Sequence, residues 1–150
     1  MMGLRISTKG RYALRMLVDL AEHKDDGYIS LKDIAKRQNI SKKYLEQIVP
    51  VLNKTKILKT NRGFQGGYML GVPPHKCTVG DILRLTEGSL SPVAYLDEDD
   101  DDIRVDPNED PATIFVWKGL KKVISEYLDS ITLQDIIDTK YEAYVNDYVI

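Results

Sequence analysis

Residues 30–49 read SLKDIAKRQNISKKYLEQIV. Ser30 has the chemistry of a helix N-cap, and Asp33 three residues on completes a capping-box-like pair. Leu31, Ile34 and Ala35 then share one face of a short helix predicted over 31–38. Asn39-Ile40 forms a tight turn. Ser41 caps a second helix, in which Leu45, Ile48, Val49 and Leu52 repeat at i, i+3, i+4 and i+7. Two short helices joined by a tight turn, with a basic outer face, make a helix-turn-helix pattern. Its common form carries glycine in the turn, and this one does not. Pro50 cannot donate to the carbonyl of Glu46, so a kink or an early end is expected there, with the base-reading part confined to 41–49.

Working outward toward the C-terminus, residues 61–70 read NRGFQGGYML. Ile57-Leu58-Lys59-Thr60 before the glycines and Tyr68-Met69-Leu70 after them have β-type composition. A glycine-rich hairpin directly after a helix-turn-helix is a wing. Its tip presents Arg62, and Gly63, Gly66 and Gly67 let the backbone lie close to another surface. A narrow minor groove is strongly negative and favours an inserted arginine. The bland alternative is a surface hairpin with an idle arginine. A nucleotide phosphate loop fails on spacing, since neither G-x-x-x-x-G-K-[ST] nor G-x-G-x-x-G occurs. Gly63-Phe64-Gln65-Gly66 matches the GXXG loop of RNA-binding KH domains, but that loop joins helices and this one joins strands.

Toward the N-terminus, residues 8–23 carry a helical stripe of Ala13, Leu14, Leu17, Val18, Leu20 and Ala21, ended by Asp25-Asp26-Gly27. Beyond the wing, Thr78 caps a short helix over 79–87 that stops at Gly88. Residues 96–111, LDEDDDDIRVDPNEDP, are strongly acidic and self-repelling, and a solvated loop is expected. The EF-hand spacing and its glycine are missing. Asp110-Pro111 then opens the last long helix. Val116, Trp117, Leu120, Val123, Ile124, Tyr127, Leu128 and Ile131 line one side of it. A domain this small cannot easily bury so wide a stripe, so residues 116–128 are candidates for a dimer interface. Packing on the chain's own domain is the alternative.

The totals agree. With 150 residues, 43% apolar and 29% charged, the chain fits one domain, or a small domain with an assembly element. No apolar run approaches the roughly 20 residues of a membrane span. The first residues lack the apolar core of a secretory signal. Cys77 is the single cysteine, which fits a reducing compartment and a cytoplasmic protein. Residues 1–76 hold 15 Lys/Arg against 6 Asp/Glu, whereas 77–150 hold 6 against 17. The basic half suits a polyanion, and the acidic half should point away from it.

Enzymatic chemistry finds little support. His23 and His75 have no recognisable nucleophile or carboxylate partner in sequence. Cys77 adjoins Lys76, which could lower its pKa and make it a candidate redox thiol, but a buried or idle cysteine is the favoured reading. A protein-interaction module is the remaining rival, distinguishable by a shallower salt dependence than DNA binding shows.

ISTKGRYALRML at 6–17, SLKDIAKRQNISKKYLEQIV at 30–49, NRGFQGGYMLG at 61–71, TVGDILRLTEG at 78–88 and SITLQDI at 130–136 resemble the Rrf-type winged-helix regulators. The resemblance covers nearly the whole chain. It implies a mainly α fold with a small β-hairpin: a winged helix-turn-helix DNA-binding domain over 1–88, an acidic flexible loop over 89–111, and a dimerisation helix with a C-terminal tail over 112–150. It also implies a palindromic double-stranded operator, with the second motif helix in the major groove and the wing in the minor groove. Lys43, Tyr44, Glu46 and Gln47 fall at the major-groove positions and Arg62 at the minor-groove position. With Ser41, Lys42, Gly63 and Gln65 they form the candidate DNA-binding set. Gln suits adenine, Glu suits cytosine N4, and Lys suits guanine or phosphate. Cluster-binding members carry three cysteines in the loop before the long helix, whereas residues 97–111 here contain none, so no iron–sulfur cluster, metal or other cofactor is expected. That absence, with LSPV at 90–93 and the ending EAYVNDYVI, looks most like the family's cysteine-metabolism repressors. Those repress sulfur-assimilation genes and pair with cysteine synthase.

Overall fold

The computed structural model describes residues 5–63, 66–93, 96 and 107–149. The candidate Gln65 and the acidic run over 97–106 lie outside the described residues. Helix α1, Thr8–Glu22, begins at Ser7, whose Oγ accepts from the Gly10 amide at 3.0 Å. Ser7 also donates from its own amide, at 3.1 Å, and its hydroxyl, at 2.5 Å, to Glu87, tying the start of α1 to a helix some 80 residues away. The apolar stripe of α1 is almost wholly enclosed: Ala13, Met16, Leu17, Leu20 and Ala21 are buried.

Helix α2, Leu31–Gln38, follows the predicted bounds and helix α3, Lys42–Leu52, starts where predicted, and Ser30 and Ser41 cap them by accepting from Asp33 N and Tyr44 N. Between them Asn39 takes the left-handed conformation, φ 52° and ψ 45°. Asparagine is the non-glycine residue best suited to that region, which is why the turn needs no glycine. The expected interruption at Pro50 takes a mild form. Helix α3 passes through Pro50 and ends at Leu52, so the missing donor falls in the last turn and little helix is lost.

Strands β1, Leu58–Asn61, and β2, Gly67–Leu70, form an antiparallel hairpin in which Leu58 faces Leu70 and Asn61 faces Gly67. A further bridge joins Tyr68 to Ile29, each amide donating to the other's carbonyl at 2.8 Å. A short 3-10 turn, Pro74–Lys76, leads to helix α4, Val79–Glu87, where Thr78 and Asp81 form a reciprocal capping box. Helix α5, Pro111–Asp129, opens with Asp110 as N-cap and Pro111 in its first turn.

The C-terminal region departs from the sequence-based expectation of one helix followed by a tail. Helix α5 stops at Asp129, Ser130 caps it, and a separate helix α6 spans Leu133–Val149. Ile131 therefore belongs to the link, not to the α5 stripe. Helix α6 folds back on α1 and the 3-10 turn, with Leu133 fully buried in the common core and Ile136 and Ile137 packed against it. Residues 131–133 pair with 77–79: Val79 N donates to Ile131 O at 2.8 Å and Leu133 N to Cys77 O at 3.0 Å. Burial of Leu133 and these two bonds favour a folded-back helix over a solvated tail.

One charged side chain is buried among the described residues, Asp19 on α1. Burial by itself would raise its carboxyl. Hydrogen bonds from Arg37 and Gln38 and the charges of Arg37 and His23 outweigh that and hold it below its ordinary value of 3.8. The depressed group stabilises the fold above that ordinary value, and the contribution fades as pH falls through the folded value. Arg37→Ala strands this carboxylate and is expected to cost about 3 kcal/mol at pH 7. Asp19→Asn leaves Arg37 free to hydrate and should cost less. Urea unfolding at pH 7 and below pH 4 checks both, and the gap between wild type and Asp19→Asn should narrow in acid.

Candidate nucleic-acid interface

Helix α3 is divided lengthwise. Leu45, Ile48, Val49 and Leu52 are buried against the core, while Lys42, Lys43, Glu46 and Gln47 are exposed on the opposite side. This exposed set joins two cations to two side chains able to hydrogen-bond base edges. Ser41 starts the same surface, with its Oγ engaged as the cap acceptor. Tyr44 stands apart from the others. It is half-buried, and its ring meets Tyr12 of α1 edge-on with centroids 5.3 Å apart. Packing against α1 thus fixes where that ring sits.

The wing is tied to the end of α3. Thr60 Oγ1 of β1 donates to Asn53 Oδ1 at 3.0 Å. At the tip, Asn61 Oδ1 accepts from Gly63 N at 3.0 Å, and Gly66 N donates to Gly63 O at 2.8 Å. Arg62 and Gly63 are exposed beside this closed turn. The glycines divide the expected role. Gly66 adopts φ 36° in the turn. Gly67, at φ 141°, serves the protein's own interior, because a Cβ there would sit 3.0 Å from Ile29 O. Close approach to an outside surface is therefore not what Gly67 provides.

Several contributors were not visible in the sequence pattern. Arg15 of α1 donates from Nη2 to the backbone carbonyl of Gln38, just before the turn, and its guanidinium lies 5.4 Å from the Tyr12 ring centroid. The partners are 23 residues apart, and no local spacing signals them. His23 does have a carboxylate neighbour. Its Nδ1 lies 2.8 Å from Asp19 O and 3.9 Å from Asp19 Oδ1, an i, i+4 relation that was readable in the sequence.

Helix α5 has no buried residue along its 19 positions. Phe115, Val123 and Tyr127 are 72%, 63% and 64% exposed and Val116 is 44% exposed. Trp117, Leu120, Ile124 and Leu128 are half-buried. Phe115 was missing from the predicted stripe because it projects from a different side of the helix. Arg84 of α4 closes the junction, donating to both carboxylate oxygens of Asp129 at 2.7 and 2.8 Å.

Of the two sequence readings of Cys77, its surroundings favour the buried cysteine over the redox thiol. The residue is 1% exposed. Burial first, and the Asp81 carboxylate second, push the thiol up to about 12. The neighbouring Lys76 does not offset these, so the thiol stays protonated at neutral pH.

The whole chain can now be set beside known proteins. Residues 6–139 match the Rrf2 family, described as Iron-dependent Transcriptional regulator. The chain belongs to the Rrf2 family. It is 41% identical over 145 residues to the HTH-type transcriptional regulator CymR of Bacillus subtilis strain 168, covering 95% of this chain and 98% of that protein. The solved structure of CymR, the global cysteine regulator of B. subtilis, aligns with a TM-score of 0.76 at 40% identity over 93% of this chain and 98% of that one. The structure of T. potens IscR aligns with a TM-score of 0.73 at 42% identity, over 95% of this chain and 92% of that chain. The fold of this Rrf2 protein is accordingly a winged helix-turn-helix, as the helix order and hairpin indicate. The iron in the family's description does not fit the residues here. The single cysteine is buried and protonated, and no three metal-ligating side chains converge among the described residues. No helix among the described residues is long and apolar enough to cross a membrane.

The folded Rrf2 protein should leave Cys77 unreacted with a colorimetric disulfide reagent at pH 8, and one thiol per chain should appear on unfolding in urea. Rapid reaction of the native protein would refute the buried, protonated thiol.

Proposed function

We propose that this Rrf2 protein is a homodimeric repressor that reads a palindromic operator, carries no metal cluster, and governs genes of cysteine and sulfur metabolism. The observation that carries the reading is the exposed face of α3, Lys42, Lys43, Glu46 and Gln47, joined through Asn53 and Thr60 to a wing tip bearing Arg62. Two probes held at a fixed separation suit a major groove and the minor groove beside it. Family membership makes DNA the partner. The sulfur assignment rests on similarity to the global cysteine regulator of B. subtilis. A relative named IscR is equally similar, and the single buried cysteine weighs against the cluster chemistry of iron–sulfur regulators. Cysteine synthase is the partner that this resemblance suggests.

Two features support a second copy on α5. Phe115, Val116, Val123 and Tyr127 are exposed along it in the single chain. Gly119 lies on the same side, and a Cβ added there meets nothing within 4 Å. A glycine inside a helix costs about 1 kcal/mol relative to alanine. Nothing in the chain's own packing requires it, whereas close approach of a partner helix does.

Selection from random duplexes should enrich a palindrome with wild type, and Arg62→Ala should weaken it over the A·T-rich minor-groove segment. Gln47→Ala should relax one base position by about 1–3 kcal/mol. Binding should weaken by about tenfold or more for a severalfold rise in salt. The sulfur assignment fails if promoters of sulfur genes are not preferred over unrelated ones, with and without cysteine synthase. Gly119→Leu and Tyr127→Glu should each give monomers in sedimentation equilibrium while retaining helical content. Dimers that persist in both would place the interface elsewhere.

A further inference from the structure

Asp19 lies two helices away from the base-reading face, with its side chain 2% exposed, so it cannot itself meet DNA. Its partners are nonetheless confined to one place. Arg37 donates from Nη2 to Oδ1 at 2.7 Å and from Nε to Oδ2 at 3.0 Å, and Gln38 donates from Nε2 to Oδ2 at 3.0 Å. Arg37 and Gln38 are the last two residues of α2, immediately before the left-handed Asn39 and the Ser41 cap of α3. Helix α1 grips the same point again through Arg15, which donates from Nη2 to the Gln38 carbonyl and from Nε to its Oε1. One turn earlier on α1, Tyr12 holds the ring of Tyr44. The groups facing the Asp19 carboxylate are thus Arg37 and Gln38 from α2 and His23 from its own helix.

The apolar contacts that seat α2 and α3 on α1 are not directional and tolerate small slides and rotations. A bidentate guanidinium–carboxylate pair is directional and sets both position and angle. Lys43, Glu46 and Gln47 follow Gln38 by fewer than ten residues, so a rotation at this joint displaces them. Recognition groups must be held within about 0.5 Å of their productive geometry. A buried ion pair is weak evidence for added stability, and its best-attested benefit is a unique arrangement.

We propose that Asp19 is a positioning residue for base readout: by clamping Arg37 and Gln38 it sets the angle at which α3 presents Lys43, Glu46 and Gln47. This rests on the DNA-reading function proposed above.

The test measures affinity for the selected palindrome and for a scrambled duplex of equal length and composition, with melting temperature and salt slope alongside. Wild type is measured first. Absence of any preference for the palindrome overturns the DNA-reading function and this inference with it. Given a preference, the variants are D19L/R37M, which removes both charges at similar volume, Asp19→Asn and Arg37→Met. D19L/R37M should melt at or above the wild-type temperature, yet lose roughly tenfold of the palindrome-to-scrambled ratio. Should it fail to fold, Asp19→Asn carries the same comparison. Arg37→Met separates a direct phosphate contact from positioning. A phosphate contact lowers both affinities together, reduces the salt slope by about one and leaves the ratio unchanged, which overturns the clamp. A ratio within twofold of wild type in a folded Asp19 variant overturns it too, as does a ratio that falls only in proportion to melting temperature.

Discussion

Helix α1 has to serve as the common surface for nearly everything else, and that demand shapes the rest of the molecule. A recognition helix must keep one side bare for DNA, so only its inner side is available for packing. Leu45, Ile48 and Leu52 use that side fully, and α1 supplies what they meet. The same helix also packs against α2, α4, α6 and β2. Its residues from Met16 to Ala21 are therefore all buried, as expected of a helix surrounded by its neighbours. Apolar burial supplies the cohesion, and directional contacts at three points fix the orientation. Ser7 bonds Glu87 at the N-terminal end, Arg15 and Asp19 hold the end of α2, and Tyr12 fixes Tyr44.

The division of labour at the proposed DNA-facing side follows from this. Readers of bases need freedom to meet a partner, and their supports need none. Lys42, Lys43, Glu46, Gln47 and Arg62 are exposed, whereas the residues that place them are enclosed or bonded. The wing obeys the same rule. Its tip is free, but its base is held by the Thr60–Asn53 bond and by the bridge from Tyr68 to Ile29. Gly67 is small because Ile29 passes so close. A hairpin of two four-residue strands would otherwise be marginal by itself.

The C-terminal half contrasts with this closed arrangement. Helix α5 joins the rest through α4, with Arg84 and Asp129 at the joint, and its outer face stays uncovered. Helix α6 instead completes the core, with Leu133 as its anchor. One half of the C-terminal region thus serves the domain, and the other leaves apolar side chains exposed. Cys77 lies beneath the pairing of 77–79 with 131–133, packed as an apolar side chain at the place where the halves meet.

What could be read from the sequence was what local chemistry controls. Capping serines and threonine at 30, 41 and 78, the 3.6-residue repeats of α1 to α4 and the glycines of the hairpin each act within a few residues. The first motif helix and α4 accordingly fall at their predicted bounds and α3 starts at its own, and Lys42, Lys43, Glu46, Gln47 and Arg62 emerge exposed. What only the tertiary structure decided were contacts between residues distant in sequence. Asp19 looks like an ordinary polar residue on a helix until Arg37 and Gln38 fold onto it. Cys77 beside Lys76 leaves an activated thiol open as an alternative in sequence, and burial decides against it. The break at Ser130 was hidden because the apolar repeat runs on to Ile131, and only the core's need for Leu133 turns the chain back. Local propensity acts over one or two turns, whereas burial and directional pairing are settled by which surfaces the whole chain brings together.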